Sequence, residues 1–384
     1  MHLRSPLLTA IGGLAALAAA MGIGRFLYTP MLPLMSAATG MSAREAGLIA
    51  SANFAGYLVG ALLAALPGLS MHARAWMLGS LAVSAATTAG MAFEAPLWVW
   101  AALRFAGGIA SAFVLVFASS LVMSHLARRS RTGLSPIHFA GVGTGILLSA
   151  IVSAPWILPE QAWSMGWIYG AGLTVLALGL AALLIAPPEA GSASGGGERR
   201  TATGLWRLVL AYGCLGFGYV ITATFIVTIL RDGGVGRTGE AIVWAMVGLS
   251  AIPSIALWSS ISARIGGIRA YQLAMILEAV GVGVSVLSGW AAMLIAAVLL
   301  GGTFMGLTAM GFQEAVKRSA GDGRSIMALM TASFGTGQMI GPAVAGWLRD
   351  TTGNFILPSL IAACVLVFGA VVLLPLARAR DVAR

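Results

Sequence analysis

Long apolar runs, each ended by a cluster of Gly, Pro, Ser or charge, follow one another along almost the whole chain. An α-helix needs about 20 apolar residues to cross the hydrocarbon core of a bilayer. Most runs here reach that length, and periodic polar faces are scarce. The pattern predicts helices over 7–35, 44–66, 74–93, 97–123, 137–158 and 163–186, then over 204–230, 241–261, 270–288, 291–315, 326–348 and 356–376. Between the two sets lies PPEAGSASGGGERRTAT, residues 187–203, rich in Pro, Gly, Ser and charge and without an apolar face, which reads as a linker. The expected fold is therefore all-α and membrane-embedded, with twelve transmembrane helices in two pseudo-symmetric six-helix bundles. The domains divide as 1–186, the linker 187–203, and 204–384.

Composition agrees with a lipid environment. Only 9% of the 384 residues are charged and 59% are hydrophobic, whereas a soluble domain carries about 25% charge. Cys214 and Cys364 both fall inside apolar runs, so neither a disulfide framework nor a thiolate metal site is indicated. The N-terminal stretch, with Arg4 and then an Ala/Leu-rich run to Ala18-Ala19-Ala20, has the look of a secretory signal. Its apolar run continues to Met35, too long for a signal, and a matching segment recurs in mid-chain, so a retained first helix is expected.

The recurrence is systematic. Gly22-Ile-Gly24-Arg25-Phe-Leu-Tyr28 is matched 194 residues later by Gly216-Phe-Gly218-Tyr219-Val-Ile-Thr222. Arg74-Ala75-Trp76 is matched at an offset of 195 by Arg269-Ala270-Tyr271, and Gly143-Thr144-Gly145 at 192 by Gly335-Thr336-Gly337. Near-constant offsets in the same order indicate a duplicated six-helix unit. An even number of spans per unit makes the repeat parallel, about an axis along the membrane normal.

The net charge of +10 is unevenly placed. With the N-terminus inside, the cytoplasmic segments hold Arg4, Arg74, Arg128, Arg129, Arg131, Arg199, Arg200, Arg207, Arg264, Arg269, Lys317, Arg318, Arg324, Arg378, Arg380 and Arg384. The outer segments hold only Arg44, Arg231, Arg237 and Arg349. Such a bias predicts both termini in the cytoplasm of a multi-pass protein of the plasma (inner) membrane, with lipid as its solvent and the anionic inner leaflet as neighbour. It is not a nucleic-acid footprint, since no basic block with interleaved aromatics occurs. Trp98, Trp100, Trp163, Trp206, Trp290 and Trp347, near span ends, read as interfacial anchors.

Several motifs carry a resemblance to the major facilitator superfamily over nearly the whole chain. Arg104-Phe-Ala-Gly-Gly108 resembles its R-x-x-x-G motif, and Gly337-Gln-Met-Ile-Gly341-Pro342 its G-x-x-x-G-P motif. Arg264-Ile-Gly-Gly267-Ile-Arg269 is similar to the tail of the G-x-x-x-D-R-x-G-R-R signature, without its Asp. More narrowly, GIGRFLYTPMLPLM at 22–35 resembles the first-helix signature of the YbfB/YjiJ-type branch. The resemblance implies a secondary transporter working by alternating access on a small-molecule substrate, with protons as a coupling ion to be considered. No cofactor and no metal is expected, and the chain is expected to act as a monomer.

Candidate transport residues are polar groups inside spans. Arg25 is the sharpest, because a mid-span cation costs from ~3 to more than 10 kcal/mol depending on the reference state. Either it binds an anionic substrate group or a switched carboxylate, or it is a static packing charge that snorkels outward. Tyr28, three residues on, is expected on the same face ahead of the helix-breaking Pro30 and Pro33. Asn53 and Tyr57 share a face with Gly56 and Gly60 and read equally as ligand contacts or interhelical glue. Tyr219 and Thr222 occupy the repeat positions of Arg25 and Tyr28. As coupling or gating candidates the chain offers Arg104, His138, Gln313, Gln338 and Glu278, the last being the only carboxylate deep in a span. Arg104 reads equally as a structural pairing residue, and His138 reads rather as a hydrogen-bonded cap. Glu278 reads as a proton carrier or, more readily, as a structural pairing group. Glu314, beside Gln313, is a weaker one.

Two other classes compete. An integral membrane enzyme lacks support: there is no H-E-x-x-H, G-x-S-x-G or P-loop, and the histidines at 2, 72, 125 and 138 are not clustered with metal-ligand spacing. A transporter-like sensor or assembly factor is not separated from a carrier by sequence.

Overall fold

A computed structural model of the chain describes residues 5–66, 68–186, 204–318 and 323–378. The linker 187–203 and the basic residues Arg4, Arg199, Arg200, Arg380 and Arg384 lie outside the described residues. The regular structure is helical throughout them. In chain order the long helices are α1 (Pro6–Thr39), α2 (Ala43–Ala64), α3 (Ala73–Gly90), α4 (Leu97–Arg128), α5 (Ser135–Ser153) and α6 (Trp163–Leu184). There follow α7 (Leu205–Asp232), α8 (Arg237–Ile265), α9 (Gly267–Val284), α10 (Trp290–Arg318), α11 (Gly323–Thr352) and α12 (Ile356–Val372).

Among the described residues, 10 helical stretches are long and apolar enough to cross a membrane. They correspond to the predicted runs, except that α3 and α11 are not among them. Helix ends obey local chemistry. Gly40 closes α1 in the left-handed conformation at φ 71, where a side chain would be strained. Two residues later Ser42 opens α2 with a reciprocal capping box. Its hydroxyl accepts from the Glu45 N–H at 3.2 Å, while the Glu45 carboxylate accepts from the Ser42 N–H at 2.9 Å. Helix α5 stops at Ser153, short of the expected 158, because Ala154 precedes Pro155 and takes an extended backbone.

Burial separates central helices from peripheral ones. In α1 and α7 78% of the apolar window is buried inside the protein, against 33% for α6 and 28% for α12. α1 packs on α4, α5 and α6, and α7 on α10, α11 and α12. The two groups meet through α2 on α11, α5 on α8, and α1 on α7. Backbones come close where glycine removes the Cβ. A Cβ on Gly22 of α1 would lie 2.3 Å from Gly145 Cα of α5, and one on Gly216 of α7 2.3 Å from the Phe334 carbonyl of α11. In the facing motif, a Cβ on Gly337 would lie 2.3 Å from the Gly213 carbonyl. These glycine motifs are thus places where helices touch backbone to backbone, as small-residue interfaces do in lipid.

The tryptophans correct one expectation. Trp98, Trp206, Trp290 and Trp347 are exposed, as anchors should be, but Trp100 and Trp163 are buried at 5% each. They pack edge to face at 6.2 Å, and Trp100 donates its indole N–H to the Phe93 carbonyl at 3.0 Å. An internal partner for the N–H, not the bilayer interface, holds Trp100.

Gly22→Ala is expected to lower the thermal unfolding midpoint in detergent by several degrees, since the added methyl would overlap the α5 backbone. Gly79→Ala in α3, where a Cβ meets nothing within 4 Å, is expected to leave the midpoint unchanged or raise it. Equal midpoints for both variants would remove close approach as the reason for glycine at 22.

Candidate functional site

Helix α1 is continuous in direction but not in hydrogen bonding. It runs as α-helix over Pro6–Leu17, widens to a π-helix over Ala18–Ile23, tightens at Gly24–Phe26, breaks at Leu27 and resumes at Tyr28–Thr39. Pro30 and Pro33 lack the N–H that would bond four residues back, which leaves further carbonyls without helical donors. In a medium without water such groups need partners from neighbouring helices.

Arg104 of α4 supplies them. Its Nη1 donates to the Gly24 carbonyl at 2.7 Å and its Nη2 to the Arg25 carbonyl at 2.9 Å. The guanidinium carbon lies 5.0 Å from the centre of the Tyr28 ring, and the Tyr28 hydroxyl donates to the Ala46 carbonyl at 3.0 Å. Asn53 donates to the Arg104 carbonyl at 2.7 Å. Arg104, Tyr28 and Asn53 therefore form one buried connection between α1, α2 and α4. None of them lines the cavity described next.

The Arg25 side chain goes the other way. It is 4% exposed, and its guanidinium carbon lies 4.2 Å from the Tyr57 ring centre and 4.9 Å from that of Phe54. Nη1 reaches the Met21 sulfur at 3.9 Å, while Nε and Nη2 have no partner. Among the described residues no carboxylate stands within ion-pair distance of it. Ring faces stabilise the cation by an amount on the order of 1–2 kcal/mol, well short of what two buried, empty donors cost.

Arg25 borders a cavity of about 700 Å³, within the range of sites for drug-sized molecules. Its other wall is aromatic: Tyr212 and Tyr219 from α7, Phe304 and Phe312 from α10, and Phe334 from α11. Tyr219 lies nearly parallel to Phe304 (5.5 Å, 7°) and to Phe334 (5.8 Å, 13°). Gln338, fully buried behind this wall, donates to the Tyr219 hydroxyl and so fixes the ring. The cavity opens past Gly133, Ser135 and Pro136 and past Gln313 and Met327. Among its described lining residues Arg25 is the only charged one.

The opposite end is sealed. Thr29 of α1 donates to the Ala223 carbonyl of α7 at 2.7 Å, and Trp244 of α8 to the Ser149 hydroxyl of α5 at 2.9 Å. Farther out, Arg237 donates to the Ser153 carbonyl at 3.0 Å. The Asp350 carboxylate at the end of α11 accepts from the Ala43 and Arg44 N–H groups at 3.2 and 2.9 Å. It thereby caps the N-terminus of α2, a favourable place for an anion.

Of the residues predicted from sequence, Arg25, Tyr57, Tyr219 and Gln313 line the cavity. Thr222 is buried in α7 with an unpartnered hydroxyl, away from the lining. His138 is fully buried between helices, its Nε2 2.9 Å from the Ser119 hydroxyl, and does not reach the cavity. Glu278 is fully buried in α9 and accepts from Thr303 of α10, the neighbour in sequence of the lining Phe304; its second oxygen has no partner. Glu314 lies below, paired with Lys317 at 3.0 Å. Sequence reasoning missed Tyr212, Phe304, Phe312 and Phe334. Tyr212 stands two turns before Tyr219 on the same face of α7, which was a usable signal. Among the described residues no group of three or more His, Cys, Asp or Glu side chains is placed to hold a metal.

Comparison with known proteins follows the same line. A family model described as "Uncharacterised MFS-type transporter YbfB" matches residues 17–374. Curated relatives include the uncharacterised MFS-type transporter YcaD of Escherichia coli O45:K1 (strain S88 / ExPEC) and of Escherichia coli O81 (strain ED1a). Each is 29% identical over 164 residues, a stretch covering 40% of this chain and 41% of the relative. Two crystal structures of the nucleoside transporter NupG, the first of a mutant, are similar at TM-scores of 0.72 and 0.71 and 14% identity. The alignments cover 97% and 98% of this chain and 99% of each NupG chain. At that identity the likeness concerns the fold.

Removing the Asp350 cap should loosen the seal. In a background lacking Cys214 and Cys364, a cysteine replacing the buried Leu32 reports access from the sealed end. Asp350→Ala is expected to raise its maleimide labelling rate about tenfold, as loss of ~1.4 kcal/mol would. An unchanged rate would show that the carboxylate does not hold this end closed.

Proposed function

The chain belongs to the YbfB family of MFS-type transporters, and on that premise we propose that it moves a small organic anion across the cytoplasmic membrane by alternating access. It is a multi-pass membrane protein of a transporter family. The observation that carries the anionic substrate is Arg25, a buried cation on the cavity wall with two unpartnered nitrogens and, among the described residues, no carboxylate beside it. A carboxylate or similar group supplies both the missing charge and the missing acceptors, and the planar fork suits it better than a point charge would.

The machinery follows from the same reading. Counting α3 and α11 with the 10 apolar stretches gives twelve spans, six on each side of the linker. The matched glycine contacts of Gly22 with α5 and Gly216 with α11 support two related six-helix bundles. The excess of basic residues at the end bearing Arg128, Arg129, Arg131, Lys317 and Arg318 supports that end as cytoplasmic. The cavity then opens inward, with the outer end sealed. Glu278, a deep carboxylate with no basic partner in contact among the described residues, is the residue we assign to proton coupling.

In proteoliposomes on a solid-supported membrane, organic anions from a carboxylate panel are expected to evoke transport currents. Arg25→Ala should abolish them and Arg25→Lys should retain a reduced response. Full currents in an Arg25→Ala protein that elutes as one species would sink the anion reading. For Glu278→Gln, accumulation driven by a proton gradient should be lost while counterflow of the same anion persists. Wild-type accumulation would remove Glu278 from coupling.

A further inference from the structure

Resting on that anionic reading, we propose that the ligand is an aromatic monocarboxylate: one negative group for Arg25, carried on a flat ring system that packs against the rings of α7, α10 and α11.

Charge count sets the first half. One cation lines the cavity among its described residues, so one anionic group is neutralised there and a second would stay buried and uncompensated. Nε and Nη2 of Arg25 have no hydrogen-bond partner, whereas both terminal nitrogens of Arg104, the other cation at this depth, already serve the Gly24 and Arg25 carbonyls.

The facing wall sets the second half. The polar atoms beside its rings are engaged by the protein. The Tyr219 hydroxyl accepts from Gln338, the Tyr212 hydroxyl donates to the Thr308 carbonyl at 3.2 Å, and the Thr308 hydroxyl to the Met305 carbonyl at 2.8 Å. Ser259, Gln313 and Thr331 add a few polar groups to the lining, but Tyr219, Phe304, Phe334 and Tyr212 present mainly ring carbon toward the cavity, with Phe334 and Tyr212 stacked at 4.8 Å. A ligand rich in hydroxyls would lose its water there and find few partners, which disfavours sugar-like bodies. An aromatic body loses little on leaving water and extends the existing offset and edge-on ring contacts. Phe26, next to Arg25 in sequence, already lies edge-on to Phe304 at 6.1 Å, so charge and ring wall are within one small ligand's length.

Calorimetric binding to the purified full chain in detergent separates the parts, with indole-3-acetate, benzoate and 2-naphthoate as aromatic acids. Indole-3-acetamide and acetate serve as the neutral and ringless controls. Indole-3-acetate is expected to bind at least about tenfold tighter than its amide and about a hundredfold tighter than acetate. Arg25→Gln should erase the acid-over-amide preference while the amide still binds, and Arg25→Lys should restore part of it. Phe304→Leu should weaken acid and amide alike by about tenfold and leave their ratio intact. Acetate binding as tightly as indole-3-acetate, with both dependent on Arg25, would overturn the aromatic class and leave the anion reading standing. Amide binding as tightly as acid in the wild type would overturn both. Absence of binding by all three aromatic acids at millimolar concentration would also overturn the aromatic class.

Discussion

Inside a bilayer no water is available to a backbone carbonyl that has lost its helical donor, and α1 has several such carbonyls between Gly24 and Thr29. Each one left bare costs several kcal/mol. Arg104 answers this constraint with two charge-assisted bonds into α1. It is itself held, through its own carbonyl, by Asn53 of α2. The rest of the site depends on that arrangement. The backbone of Gly24 and Arg25 is tied to α4, while the Arg25 side chain projects over Tyr57 and Phe54 toward the cavity. One arginine is consumed by structure so that another is left unsatisfied.

The contrast between the two arginines also explains what the sequence could not decide. Both are single cations within apolar runs, and hydropathy treats them alike. They differ in what faces them: broken-helix carbonyls for Arg104, ring faces and open space for Arg25. Only the packing of α4 against α1 reveals which is which. Helix positions, in contrast, are encoded locally in run length, and most helix ends fall within a few residues of those expected. The largest differences are five residues, at the ends of α4 (Arg128 against 123) and α5 (Ser153 against 158), the second beside Pro155.

Facial periodicity failed where the helix is irregular. Tyr28 stands three residues after Arg25, and in an ideal helix the two would point the same way. The break at Leu27 falls between them, and Tyr28 turns to Arg104 and Ala46. In α2, which is regular, Asn53 and Tyr57 do share a side, yet Asn53 is spent on α4 while the longer Tyr57 reaches the cavity. Aromatic wall residues were invisible for a different reason. A phenylalanine in an apolar run looks the same whether it faces lipid, a neighbouring helix or a cavity, so Phe304 and Phe334 carry no local mark of their place.

On the proposed reading, the states of the transport cycle must differ by only a few kcal/mol, or ligand could not move the protein between them. The seal is built to that scale. Asp350 on α2 and Arg237 on Ser153 are partly exposed charged hydrogen bonds, each worth about 1–3 kcal/mol. Deeper in, Phe26 touches Trp244 at 6.4 Å and Phe304 at 6.1 Å, both from the second group of helices. Phe26 is the residue after Arg25, and Trp244 is bonded to Ser149 within the seal. A ligand drawn between Arg25 and the ring wall therefore presses on the same short segment that Arg104 anchors and that the seal abuts. On that reading, filling the empty donors of Arg25 acts directly beside Phe26, a residue at the contact between the two groups of helices.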